Sequence, residues 1–247
     1  MATIEAVDFF YLRMPVVEAI ADNSQDSLLV RVASGGDVGW GECDAAPLVS
    51  IASFIAPMSH GICQPVGTSV LGQRLDDVAD IARINREVRA NSLDLLQTSH
   101  TLAGIDMALW DLLGRRRGEP VWRLLGHDQS TRKTPYASQL FGDEPQETRA
   151  KGKAQREAGF RAVKFGWGPY GQGDASTDAA HIAAAREGLG EDGILLVDAG
   201  TVWVDDVAAA AARLDALIEH RATWLEEPFI SAALGAYKAL AERAAPL

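Results

Sequence analysis

Two apolar runs in this 247-residue chain end in acid: Ile194–Val197 leads into Asp198, and Trp224-Leu225 leads into Glu226-Glu227-Pro228. Both runs read as β-strands, with one helical stretch between them. If such strands lie parallel in a barrel, they deliver their C-terminal ends to one face and stand about 4.8 Å apart. Asp198 and Glu226 are then expected to converge. Two carboxylates that close repel each other unless a cation lies between them. Oxygen donors, with no His or Cys nearby in sequence, select a hard divalent ion, most simply Mg²⁺. Side chains alternate along a strand, so Glu226 and Glu227 face opposite ways and only one of them is a ligand. Lys164, on the preceding apolar run Ala162–Gly166, adds a third charge. The residues alone leave a second reading open, in which the acids merely end strands and begin polar loops.

The elements that must position these residues follow from periodicity. Ile4–Arg13 and Ser27–Gly41 have strand character, with Ser34-Gly35-Gly36 as a turn inside the second, so the chain opens on an antiparallel meander. A loop-rich stretch from Cys43 to Gly72 precedes helical patterns at Leu75–Arg89 and Ser99–Arg117. In the latter, Ser99 is the expected cap, Leu102, Ile105, Leu109, Leu112 and Leu113 share a face, and Gly118 and Pro120 end the run. After Thr134 the pattern changes to short strands alternating with helices, the signature of a parallel sheet. Strands are expected at Thr134–Leu140, Ala162–Gly166, Ile194–Asp198 and Thr223–Glu227. Helices are expected near Asp143–Ala158, Ser176–Gly188 and Asp205–His220, with another from about Ser231. The boundary between the two patterns lies near residues 126–133.

Composition excludes several classes. The net charge of −11 is spread along the chain and disfavours nucleic acid. Two cysteines, Cys43 and Cys63, without CxxC spacing fit a reducing compartment. No basic start followed by an apolar run opens the chain, and no run is long enough to span a membrane, so a cytoplasmic location is expected. The five histidines avoid strand ends and are read as surface or dipole-related residues. The glycine-rich stretch 166–173 lacks the lysine of a phosphate-binding loop and does not match the dinucleotide fingerprint.

Four segments resemble the mandelate racemase and muconate lactonizing enzyme branch of the enolase superfamily: Leu102–Gly126 (LAGIDMALWDLLGRRRGEPVWRLLG), Gly159–Gly166 (GFRAVKFG), Leu195–Asp198 (LLVD) and Trp224–Pro228 (WLEEP). The resemblance implies an α/β protein in two parts. Residues 1–128 form an α+β capping domain of antiparallel meander plus helices, and residues 129–247 form a partial (β/α) TIM-type barrel of about four βα units. Loops near Met14–Ser27 and Cys43–Met58 are then expected to shape a substrate pocket. Asp198 and Glu226 become the first two Mg²⁺ ligands, and Lys164 the lysine that assists electrostatically or orients the substrate carboxylate. Trp167 is a candidate substrate contact. The family's third carboxylate ligand, and the His–Asp dyad of many members, belong to strands expected after Leu247.

The implied activity is Mg²⁺-dependent removal of the α-proton of a carboxylate through an enediolate. The family's Lys-x-Lys pattern reads Lys164-Phe165-Gly166 here, so glycine replaces the second base and two-base racemisation is disfavoured. Dehydration of a sugar acid is the leading expectation, ahead of a racemase or epimerase. A catalytically silent chain, short of its third ligand and base, is the non-enzymatic alternative. The expected partners are a small-molecule carboxylate and a second copy of the chain in a homo-oligomer, because open strand edges invite pairing.

Overall fold

The computed structural model describes residues 1–18, 25–43 and 46–244. The chain forms two compact units, Met1–Thr131 and Arg132–Leu247. The first contains β1 (Ile4–Leu12), β2 (Ser27–Ser34), β3 (Asp37–Cys43), α1 (Pro47–Ile55), α2 (Val78–Asn91), α3 (Thr98–Arg117) and α4 (Val121–Leu124). Its three strands are antiparallel in the order β1-β2-β3. In β2, Leu28, Val30 and Val32 are fully buried while their neighbours are part-exposed, the alternation of a sheet with one face in the core. Helix α3 contributes Leu102, Ile105, Leu109, Leu112 and Leu113 to the same core, as their spacing predicts. Sheet and helix meet backbone to backbone. A Cβ on Gly39 would stand 2.1 Å from the Ala108 carbonyl oxygen, and one on Gly41 2.0 Å from that of Gly104, so only glycine permits this packing.

Two expectations for this unit are corrected. Helix α1 lies inside the stretch read as loop. It buries Ser50 and Ser53 beside Phe54 and exposes Leu48 and Ile55, so its apolar residues do not mark one inward face. The Ser53 hydroxyl donates to the Val49 and Leu96 carbonyls, which makes a buried serine tolerable. Ser99 does not cap α3; Gln97 stands at the cap in the left-handed region, without a side-chain hydrogen bond. The actual capping box belongs to α2, where Asp77 accepts from Asp80 N and Asp80 reaches back to Asp77 N. Of the two expected pocket loops, residues 19–24 and 44–45 lie outside the described residues.

The second unit carries β4 (Tyr136–Leu140), α5 (Pro145–Glu157), β5 (Ala162–Gly166), α6 (Ala175–Leu189), β6 (Ile194–Asp198), α7 (Val207–Ala211), α8 (Leu214–Glu219), β7 (Ala222–Glu226) and α9 (Leu234–Ala244). The four strands are parallel and in sequential order, the partial barrel expected. One face packs on helices through Ala137, Val163, Phe165, Leu195 and Val197. Tyr136, Leu140, Ile194 and Trp224 alternate with these and are 37–42% exposed.

The single helix expected over 205–220 is broken at Ala212-Arg213. Arg213 turns inward there and its Nε donates to Asp178 Oδ2 at 2.8 Å, with both side chains buried. The remaining guanidinium nitrogens donate to the Ala209 and Gly173 carbonyls, and the guanidinium lies 5.3 Å from the centre of the Trp203 ring. Asp178 Oδ1 accepts from Gly171 N, so the pair ties the β5–α6 loop to the break between α7 and α8. His181, expected in a surface or dipole-related role, is 1% exposed. Its Nδ1 bonds Thr148 Oγ1 at 2.9 Å, its ring meets Phe141 edge-on, and burial holds its pKa below the ordinary histidine value.

Candidate metal and substrate site

Strand register assembles the site. Gly166 pairs with Asp198 across β5 and β6, and Asp198 pairs with Glu226 across β6 and β7, so the ends of three adjacent strands stand level. Lys164 is two residues before Gly166 and therefore on the same face, one step below the rim. Its Nζ donates to Asp198 Oδ2 at 2.9 Å and to Glu226 Oε1 at 3.0 Å. The two acids thus converge on a single point, and that point carries positive charge. Burial pulls the Lys164 pKa down, but hydrogen bonds and Coulombic attraction from Asp198 and Glu226 outweigh it, leaving the group above the ordinary lysine value. In this arrangement Lys164 is an ammonium, suited to stabilising negative charge rather than to accepting a proton.

Asp198 is almost fully buried, and its second oxygen is also held. Oδ1 accepts from Gly200 N at 2.9 Å, a turn in which an aspartate bonds the backbone two residues on. Glu226 is more open, with a third of its side chain exposed. Glu227 continues the chain in the left-handed region (φ 45°) and is exposed; its carbonyl accepts from Thr201 N at 2.6 Å. Trp167, also left-handed (φ 56°), packs its indole on Gly200, where a Cβ would come within 2.7 Å of Cε2. It therefore lies beside the turn that holds Asp198. Lys164 Nζ lies 5.7 Å from the centre of the Tyr136 ring, which Trp224 meets edge-on.

The donor chemistry suits a hard cation in part. Two carboxylates meet within hydrogen-bond reach of one nitrogen, which is what an oxygen-preferring divalent ion requires of its first two ligands. Among the described residues no cluster of three or more His, Cys, Asp or Glu completes the set. Gly166 accounts for the absent second lysine in physical terms. A Cβ there would stand 2.9 Å from Asp198 Cβ and 3.1 Å from its carbonyl oxygen, so a longer side chain would displace the aspartate.

Sequence reasoning brought Lys164, Asp198, Glu226 and Trp167 into consideration but missed two parts of the site. The Asp198 turn had a signal in Asp198-Ala199-Gly200, since an Asx residue two before glycine favours such a turn. Tyr136 beneath Lys164 had none, because its placement depends on the β4–β5 register.

A sheet-and-helix unit followed by parallel βα units, with acids and a lysine at adjacent strand ends, defines the enolase-superfamily class of α/β-barrel proteins. The chain belongs to the mandelate racemase / muconate lactonizing enzyme family: residues 2–126 match its N-terminal domain and residues 147–247 match the enolase C-terminal domain-like family. A solved protein from Rhodobacter sphaeroides, described as a predicted mandelate racemase, is 61% identical, with a TM-score of 0.94 over 98% of this chain and 62% of its own. A 3,6-anhydro-alpha-L-galactonate cycloisomerase from Streptomyces coelicolor is 37% identical over 132 residues, 52% of this chain and 34% of that protein. A cis-3-hydroxy-L-proline dehydratase from Roseibium aggregatum is 28% identical over 236 residues, 91% of this chain and 61% of its own length. The chain therefore spans between a third and three-fifths of the curated relatives it matches. Among the described residues, no helix is long and apolar enough to cross a membrane.

Proposed function

We propose that this chain carries part of the active site of an enzyme that removes the α-proton of a carboxylate substrate with Mg²⁺, and that the outcome is dehydration of a sugar acid. The observation that carries this is the convergence of Asp198 and Glu226 on one cationic point at the strand ends. A proton beside a carboxylate is too weakly acidic for an unaided side chain to remove, so negative charge must be stabilised as it forms. Asp198 and Glu226 would hold Mg²⁺, which when bound would supply that stabilisation. Lys164 provides an ammonium that orients the substrate carboxylate and shares the developing charge. Gly166 offers no second base beside Lys164, so β5 lacks one group of a Lys-x-Lys pair, which favours loss of a β-hydroxyl over racemisation. The hydroxyproline dehydratase relative, aligned over nine-tenths of this chain, supports dehydration as the type of reaction. Trp167 bounds the substrate beside the Asp198 turn.

The assay is incubation of a full-length protein that contains this chain with sugar acids and Mg²⁺ in D₂O, reading keto-acid product and deuterium at the α-carbon. Keto-acid that disappears in Asp198→Asn and Glu226→Gln is expected. α-Deuteration without keto-acid would replace dehydration by racemisation. A second reading is favoured by the absence of a third carboxylate among the described residues: this chain alone is silent. Weak Mg²⁺ binding with neither product would support it.

A further inference from the structure

The Lys164 ammonium stands between the carboxylates of Asp198 and Glu226, the two acids that the metal reading takes as ligands. It sits 2.9 Å from one carboxylate and 3.0 Å from the other, and it is the only cation paired with either acid among the described residues. The Asp198 carboxylate has little freedom to turn aside, because Gly200 N holds Oδ1 and leaves Oδ2 for the cation. Only 13% of the Lys164 side chain is exposed, so the ammonium is held against the two carboxylates rather than extended into solvent. A second resting place lies next to the first, since the face of Tyr136 is 5.7 Å from Nζ and an aromatic face attracts an ammonium.

We propose that Lys164 is a built-in counter-ion that competes with the divalent cation for the Asp198–Glu226 pair, so that metal entry and withdrawal of the ammonium toward Tyr136 are one event. This rests on the metal reading above and adds regulation of that site. Without metal the ammonium keeps the carboxylates together, which preserves the geometry of the strand ends. With metal it is released to face the substrate carboxylate. Affinity is weakened by the bonds the lysine must give up, and the freed lysine becomes available only when the ion is in place.

The experiment is calorimetric titration of MgCl₂ into the 247-residue chain and its Lys164→Met and Lys164→Arg variants, with circular dichroism to verify folding. Lys164→Met is expected to bind Mg²⁺ roughly tenfold to a hundredfold more tightly than the unaltered chain, the scale of one or two charge-assisted hydrogen bonds. Lys164→Arg keeps the charge and is expected to bind no more tightly than the unaltered chain. A second measurement needs no variant: amine acetylation of the unaltered chain, read by mass spectrometry, should accelerate at Lys164 when Mg²⁺ is added. Equal or weaker binding by Lys164→Met, or acetylation at Lys164 that Mg²⁺ leaves unchanged or slows, would overturn the competition while leaving the metal reading intact. If neither the unaltered chain nor Lys164→Met takes up Mg²⁺, the metal reading itself falls, and the competition with it.

Discussion

Replacing Arg213 by methionine isolates the ion pair that ties the β5–α6 loop to the helix break. Asp178 is fully buried, and among the described residues it keeps, apart from Arg213, only the Gly171 N–H as a hydrogen-bond donor. Removing one partner of a buried pair leaves a charge that can neither reach water nor find a counter-ion, at a cost of about 3–5 kcal/mol. A unit of this size has about 5–15 kcal/mol in total, so the loss is a large fraction of its stability. Asp178→Asn should cost less, because the amide is neutral and Arg213 keeps its bonds to the Ala209 and Gly173 carbonyls. The double variant, with no buried charge left unpaired on the acid side, should be more stable than the sum of the single losses implies. Urea unfolding of the four proteins gives the cycle, and hydrogen exchange at Gly171 N gives a local reading. Losses below about 1 kcal/mol for Arg213→Met, or single effects that simply add, would refute the account of this pair as a loop anchor.

Two further outcomes follow. Gly166→Ala forces a Cβ against Asp198 and should cost about 1–3 kcal/mol while weakening Mg²⁺ binding, read by thermal unfolding and calorimetry; an unchanged Mg²⁺ affinity would show that the aspartate yields without losing its aim. Asp80 is buried, and although burial opposes its ionised form, the Asp76 and Asp77 N–H groups with Arg74 and Arg83 bring its pKa down to about 2. Because this folded value lies below the ordinary carboxylate value, its contribution is present above about pH 4 and lost as pH falls toward 2. Discounted for half-exposed Arg74, that contribution is about 1–2 kcal/mol. Asp80→Asn should flatten the acid limb of the stability profile, and an unchanged limb would remove Asp80 from the account.

What could be read in advance depended on whether local pattern and burial agreed. Strand β5 is a short apolar run broken only by Lys164, β6 is continuously apolar up to Asp198, and the structure places both there to the residue. The buried face of α3 was equally legible, because five large apolar residues fall at helical spacing. Helix α1 was not, since it turns serines inward and one of them, Ser53, bonds the carbonyl of Leu96, 43 residues away, which no local pattern reveals. The break at Arg213 was hidden for a similar reason: an alanine-rich run reads as one helix until the partner Asp178, 35 residues away, draws the arginine inward. At the site, residue types identified Lys164, Asp198 and Glu226, whereas the hydrogen bonds that join them needed the strand register.

Four residues without the freedom of glycine hold left-handed backbone at the C-terminal ends of β5, β6 and β7: Trp167, Thr201, Val204 and Glu227. For the β-branched Thr201 and Val204 that conformation is costly, on the order of 1–3 kcal/mol each. The loops around Asp198 are thus kept under tension by their neighbours, through Thr201 N to the Glu227 carbonyl and Ile230 N to that of Val204. Glycine at either position would relax the chain and could yield a sturdier fold. The same relaxation would release the clasp between the two loops, so durability and a well-aimed aspartate pull in opposite directions on this short stretch of backbone.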